Sequence, residues 1–524
     1  MLNLPIKILK TIQIETEQAT ITFDTIATLV AQWDTVARVT SRHLVLIVNA
    51  TSPDAVAKRA VEIELNGDSG ATYNHQWMSG EAAVADADRQ DGVNALLELV
   101  GADYPFAIPG TTYANAFGGG TILFPHAFNT TNHKVALALG GAVEDYVSAV
   151  VGRWASVAAI TSLILAPDTG NFAAGSTISL GVIDEHYLVE EWISAGVGTA
   201  IFDNIPQGEG DLVIIGYARS SQAAVADEVL HYINDDGVAA NYPAQELRGI
   251  GAGPPAAAFP INGECAIIPG QTAGINVFGA LVVNYSQYTK DNHPHFLSAS
   301  GYHSPTGPVA EVRLMSGRRA NIEPINKIEL DPTLGVNFFA ESLLSLYRVP
   351  KRIIERFILT EDTPLITFDN IPQHFEDLIL HVYARTDRAA AGDEVAFEIN
   401  DDGVAANYDR QRLYGAAAAA AADRNAAITD WLSLQGNTAA VNAFAGGTTI
   451  FLGYAKTDRN KHCVSITGYI SAVLLESCRW ESNAAIYKLD LSPGVGPNFL
   501  AGSVFELEGI LRREGLPPSE GMRI

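Results

Sequence analysis

Short apolar runs separated by polar turns dominate the chain, and their period is two. Val395-Ala396-Phe397-Glu398-Ile399 and Ile486-Tyr487-Lys488-Leu489-Asp490-Leu491 alternate between apolar and polar positions. This is the mark of strands with one face in a core. Leu212-Val213-Ile214-Ile215-Gly216-Tyr217-Ala218 and Leu378-Ile379-Leu380-His381-Val382-Tyr383-Ala384 are apolar almost throughout, as fully buried strands tend to be. Turn signals punctuate these runs. Asn400-Asp401-Asp402-Gly403 follows directly on an alternating strand, and Asn, Asp and Gly tolerate the positive φ that tight turns require. One stretch departs from the pattern. Ala416 to Ala422 is unbroken alanine, the strongest helix former, and reads as a surface excursion with a short helix.

The pattern repeats. Phe202-Asp203-Asn204-Ile205-Pro206-Gln207 recurs as Phe368-Asp369-Asn370-Ile371-Pro372-Gln373, and Asn234 to Tyr242 recurs unchanged at Asn400 to Tyr408. The offset is 166 in both cases (368 less 202, and 400 less 234). A first copy, more diverged, keeps the same order of landmarks. It opens at Thr20 to Ile26, turns at Asn66-Gly67-Asp68-Ser69-Gly70 and reaches Tyr73. Asn115-Ala116-Phe117 answers Asn276-Val277-Phe278 and Asn442-Ala443-Phe444. Arg153-Trp154 answers Arg479-Trp480, with Arg318-Arg319 between, and each copy closes on Asn-Phe: Asn171-Phe172, Asn337-Phe338, Asn498-Phe499. The expected organisation is an arm at 1–11, repeats at 12–190, 191–351 and 352–511, and an arm at 512–524. The fold class is all-β: three tandem antiparallel β-sandwich domains, jelly-roll-like. Short linkers keep the copies in contact, side by side or stacked.

Composition narrows the function. The 524 residues carry 33 Lys and Arg against 59 Asp and Glu, a net charge of −26. Such a surface repels phosphate backbones and anionic membranes, so neither nucleic acid nor membrane is an expected partner. No window approaches the ~18 apolar residues of a membrane helix. Met1 to Lys10 lacks the long apolar core of a signal peptide, and synthesis in a cytoplasm is expected. Cys265, Cys463 and Cys478 share no metal-ligand spacing and read as free buried thiols.

Candidate chemistry is sparse. The Asn-Asp-Asp-Gly turns invite a Ca²⁺ reading, but Val404, Ala405 and Ala406 supply no side-chain oxygens where a calcium loop needs them. Turn chemistry is the better account. His293 and His295 form an H-x-H pair, with only His133 and His462 near the matching places, and read as loop or strand-edge surface positions. Trp33, Trp77, Trp154, Trp192, Trp431 and Trp480 suit packed sandwich aromatics better than sugar platforms. No G-x-S-x-G elbow, H-E-x-x-H helix or P-loop is present. Residues common to all copies are Phe, Ile, Asn, Gly and Tyr, which specify strands and turns. No catalytic, cofactor-binding or metal-ligating residue is assigned, and no enzyme activity is expected.

The opening F-D-N-I-P-Q, the strand Asp211 to Ser220, the N-D-D-G or N-G-D-S-G turn closed by Asn-Tyr, and the final stretch Gly170 to Ser176 together resemble a recurrent β-domain of tailed-bacteriophage virion proteins. The resemblance spans all three copies and brings no catalytic residues. It implies a virion structural protein assembled in the host cytoplasm, either a capsid decoration or cement protein or a tail-associated component. The implied partners are major capsid or tail proteins. Triplication within one chain implies a pseudo-trimer. A receptor- or glycan-binding adhesin of the same particle, with host surface glycans as partners, is the alternative; a polysaccharide-degrading enzyme is the remotest reading.

Overall fold

A computed structural model describes residues 4–31, 43–99, 104–142, 145–196, 198–260, 262–305, 310–333, 337–349 and 353–511. The expected arm at 512–524 lies outside the described residues. In the second repeat, antiparallel pairing builds an eight-stranded sheet in the order Leu188–Ile193, Leu343–Val349, Asp211–Ala218, Gly279–Ser286, His295–His303, Ala310–Arg318, Ala244–Ile250, Ala256–Ala258. A four-stranded sheet runs Ala200–Phe202, Ile328–Pro332, Ala226–Ile233, Glu264–Pro269. The first and third repeats reproduce both orders strand for strand, so the chain is three tandem β-sandwiches of unequal sheets. Ile6–Gln13, which takes in most of the segment expected as an arm, pairs with Thr177–Ile183 as the edge strand of the first large sheet. Its counterparts are Leu188–Ile193 and Ile353–Ile358.

Each sandwich closes its own core. Leu212, Ile214, Val229, Ile233, Phe296 and Leu344 pack between the two sheets of the second repeat, and equivalent clusters fill the first and third. The large sheets, however, are apolar on both faces. Val213, Ile215, Val282, Leu297, Val312 and Leu314 alternate with the core residues and join Val45, Ile47, Leu137, Val147 and Val151 of the first repeat in a common cluster. Ile450, Val464, Ile466, Val473 and Leu475 complete it from the third. The three large sheets are therefore packed against one another, back to back around a pseudo-three-fold axis. Near-continuous apolar strands are the sequence consequence of this two-sided burial.

The close approach depends on glycine. A Cβ on Gly80 would lie 2.9 Å from the Arg412 carbonyl oxygen, one on Gly415 2.8 Å from that of Glu246, and one on Gly249 2.9 Å from the Met78 Cβ. Each contact crosses to another repeat, and the set runs first to third, third to second, second to first. The alanine run belongs to the same seam and is not helical. Tyr408–Ala416 and Ala419–Ala426 are paired strands, Ala416 opposite Ala419. Helix propensity loses here because the segment is the edge hairpin of the large sheet, where backbone pairing and a partly buried, methyl-only face against the first repeat are both satisfied. Ala420 and Ala422 reach the common cluster, and a Cβ on Gly80 would lie 3.1 Å from the Ala422 Cβ.

Replacing Gly415 by Val should cost about 1–3 kcal/mol or more through overpacking at the seam, measured by chemical denaturation of the full chain. Gly237→Ala, at a position with nothing within 4 Å of its Cβ, should stay within about 0.5 kcal/mol of the parent.

Candidate functional site

The Asn-Asp-Asp-Gly motif is a structural clamp. Asn234 and Asn400 adopt φ of 53° and 54°, and Asn66 of the first copy 56°. Each side-chain carbonyl accepts two backbone N–H groups from the segment leading into the next small-sheet strand: Asn326 and Lys327 on Asn234, Tyr487 and Lys488 on Asn400, Thr161 and Ser162 on Asn66. The second acid then ties the turn to the large sheet. Asp402 accepts from Trp480 Nε1 at 2.8 Å and Asp68 from Trp154 Nε1 at 2.7 Å; Arg319 Nε replaces the indole at Asp236, 3.1 Å away. The closing tyrosine locks the turn from below. Tyr408 donates its hydroxyl hydrogen to the Asp402 carbonyl and accepts from the Ile399 N–H; Tyr242 and Tyr73 do the same in their copies. Trp154 and Trp480 are thus buried hydrogen-bond donors, as Trp77 and Trp431 are buried core residues. Trp192 is half-buried and Trp33 lies outside the described residues.

Carboxylates of Glu398, Asp401 and Asp490 come within 4.8 Å of one another beside this turn. The Lys488 ammonium sits between Asp401, at 2.5 Å, and Asp490, at 2.9 Å. Lys327 does the same between Asp235 and Glu329 in the second copy. A lysine therefore already supplies the positive charge that these acids attract.

The histidines correct the sequence reading. His293 and His295 are buried, and so is His462, instead of lying on a surface or strand edge. The reason is the seam between repeats, which covers what would be an exposed strand end in a lone sandwich. His293 Nε2 lies 3.1 Å from the Val441 carbonyl of the third repeat. His295 Nε2 lies 3.1 Å from Ser316 Oγ, and His462 Nε2 2.9 Å from Ser477 Oγ. Sequence reasoning missed this because the seam exists only when three copies assemble.

The seams carry a second polar arrangement. Gln76 Nε2 donates to the Gly251 carbonyl, Gln245 to that of Ala417 and Gln411 to that of Ala82, at 3.0, 2.9 and 3.1 Å. Backbone N–H groups follow the same cycle: His133 to Asn276, His293 to Asn442, Asn460 to Asn115. Two seams are finished by a tyrosine. Tyr217 stacks on Phe278 and Tyr383 on Phe444, with hydroxyls donated to the carbonyls of His133 and His293. The register puts Asn49 in that place in the first repeat. There the Arg459 guanidinium stacks 3.8 Å above Phe117 and donates to the Gly175 carbonyl at 2.7 Å. Cation–π stacking replaces aromatic stacking at the one seam no linker spans.

Buried ion pairs hold the sheets of two sandwiches together. Arg313 alternates with the seam residues Val312 and Leu314 and so points into its own sandwich. It meets Glu311 at 2.7 Å, Glu246 at 3.2 Å, Glu264 at 3.5 Å and Glu228 at 3.8 Å. In the third repeat Arg410 and Arg412 reach Glu394, and Arg410 lies 3.8 Å from Glu476. Glycoside cleavage needs two carboxylates flanking an open cleft. These carboxylates converge instead on a shared guanidinium, which pins the small sheet to the large one.

Burial sets the protonation of these groups. It pushes Glu228 and Glu62 up to about 7, Asp377 to about 7 and Glu476 to about 8. It pushes His75, His231, His295 and His462 down to about 3. The raised acids contribute stability that is full below pH ~4 and lost as pH rises through 7 to 8. The depressed histidines contribute stability that is full above ~6.5 and lost as pH falls toward 3. Between roughly 4.5 and 6.5 the two slopes oppose each other. Thermal melts at constant ionic strength should show a plateau there and a decline on both sides, and Glu476→Gln should flatten the alkaline decline. A melting temperature that climbs from pH 6.5 to 8 would contradict this account. Tyr408→Phe, which strips two hydrogen bonds from the clamp, should cost about 1–3 kcal/mol by denaturant titration.

The chain matches no protein-family model and no curated protein. Among solved structures it is similar to the mouse laminin alpha1 chain, domains LG4-5, at 12% identity over 61% of this chain and 89% of that one, with a TM-score of 0.15. The translocator domain of the autotransporter NalP from Neisseria meningitidis gives 7% identity over 83% and 88%, TM-score 0.09. A mutant of the Rh. blastica porin gives 10% over 80% and 99%, TM-score 0.11. Likeness of this degree carries no argument about what the chain is.

Proposed function

We propose that this chain is a non-enzymatic structural protein of a tailed-bacteriophage particle, a capsid decoration or cement protein or a tail-associated component. The observation that carries the reading is the ring of three sandwiches whose large sheets have inner strands buried on both faces. Such a body offers one chain with pseudo-three-fold symmetry, suited to a place where three copies of a partner meet. Its partners are then other virion proteins, the major capsid or tail proteins. The motifs that carry the phage resemblance are the clamp and strand residues that build this body, which supports the same reading. An acidic exterior, with a net charge of −26, limits adhesion to the packaged genome.

Antibodies raised against the purified full chain test the proposal by immunogold electron microscopy of particles sedimented from a producing lysate. Gold at regular sites on heads or at a fixed point on tails is expected. Complete recovery of the protein in the soluble fraction, with unlabelled particles, would rule the proposal out.

A further inference from the structure

Cys463 and Cys478 are directly opposite each other on the neighbouring strands Lys461–Tyr469 and Ala472–Trp480. Directly paired residues of an antiparallel ladder share a face and hold their Cα atoms about 4.5–5.5 Å apart. That separation falls within the roughly 4.4–6.8 Å a disulfide accepts. Both side chains are buried in the core of the third sandwich.

The other two repeats show that these positions compete for a single space. In the second repeat the pair is Phe296 opposite Gly317, and a Cβ on that glycine would come within 2.5 Å of the phenyl ring. In the first repeat it is Ala136 opposite Gly152, where Leu96 fills the gap, 2.3 Å from a Cβ on the glycine. Only the third repeat places two side chains of middle size there, and both are thiols. Both thiols are free and buried in this structure, and the two side chains lie within hydrogen-bonding reach of each other.

We propose that Cys463 and Cys478 are an unassigned modification site: they join in a cross-strand disulfide when the chain folds in the presence of a small-molecule disulfide such as oxidised glutathione. One cysteine thiolate attacks the S–S bond of the oxidant, forms a mixed disulfide and releases one glutathione thiolate. The second cysteine, its proton lost to solvent, displaces the other. Two protein S–H bonds are replaced by one S–S bond, and the oxidant is reduced to two thiols. Burial raises the Cys478 thiol well above its ordinary range, so the exchange belongs to folding, while the sulfurs are still wet, and not to the finished core. The bond would staple the fifth and sixth strands of the third large sheet without changing their register. The inference does not depend on the function proposed above.

The test refolds the full reduced chain from denaturant in a mixture of reduced and oxidised glutathione, then alkylates it under denaturing conditions and maps the peptides by mass spectrometry. The expected result is a linked pair of peptides two hydrogens lighter than their sum, with Cys463 and Cys478 unlabelled and Cys265 labelled. The cross-linked chain should also melt at higher temperature than the reduced one, a difference that Cys478→Ser abolishes. Labelling of all three cysteines in correctly folded protein, or a bridge involving Cys265, would overturn the proposal.

Discussion

An eight-stranded sheet with two apolar faces cannot be covered by a four-stranded one. The small sheet hides the face that carries Leu212, Ile214 and Leu344, while Val213, Ile215 and Leu314 are left on the other side. At roughly 1.5–3 kcal/mol for each large apolar side chain kept from water, that second face decides the architecture. It obliges each repeat to seek two others. The glycines at 80, 249 and 415 follow from this requirement, since the sheets gain full contact only where nothing protrudes between backbones. The edge hairpins follow as well: Ala87 of the first repeat and Ala420 and Ala422 of the third join Met78, Leu247 and Leu413 in the common cluster where one repeat lies over the next.

Hydrogen bonding then gives the packed faces a defined register. Apolar surfaces alone slide, but Gln76, Gln245 and Gln411 each reach a single carbonyl on the adjacent hairpin. The geometry is conserved around the ring although the surrounding chemistry has drifted. The residue that accepts an N–H from the turn after the strands Gly118–Phe124, Gly279–Ser286 and Ala445–Leu452 shows the same principle. His43 Nδ1, Asp211 Oδ1 and Asp377 Oδ1 all accept the backbone N–H of a left-handed residue, His126, Gln287 or Gly453. An imidazole and two carboxylates are interchangeable there because only a lone pair in the right place is needed.

Much of this was legible in the chain. Alternation marks the strands, the offset of 166 marks the repeats, and the residues of the Asn-Asp-Asp-Gly turn already specify turn chemistry. The unbroken apolar run at Leu212 to Tyr217 even carried the sign of two-sided burial. Four things were not legible. Helix propensity misjudged Ala416 to Ala422, because propensity describes an isolated segment and this one is an edge strand packed on a neighbour. His293, His295 and His462 looked like surface residues, because their cover comes from another repeat far away in sequence. The division into sheets of eight and four strands depended on pairings that local periodicity does not specify. The meeting of Arg313 with four glutamates, spread from Glu228 to Glu311, likewise exists only in three dimensions.

The glutamine contacts all point the same way round: first repeat to second, second to third, third back to first. Such head-to-tail bonding is directional, so its closure is a matter of angle, and three units use up the full turn. A fourth sandwich inserted into the chain would find all three of these glutamine donors and their carbonyls already engaged. Lengthening such a protein one unit at a time would open the circle, whereas adding a complete second circle would not. A chain of two such sandwiches would leave one donor edge and one acceptor edge open, and would close its circle only with a sandwich from another molecule.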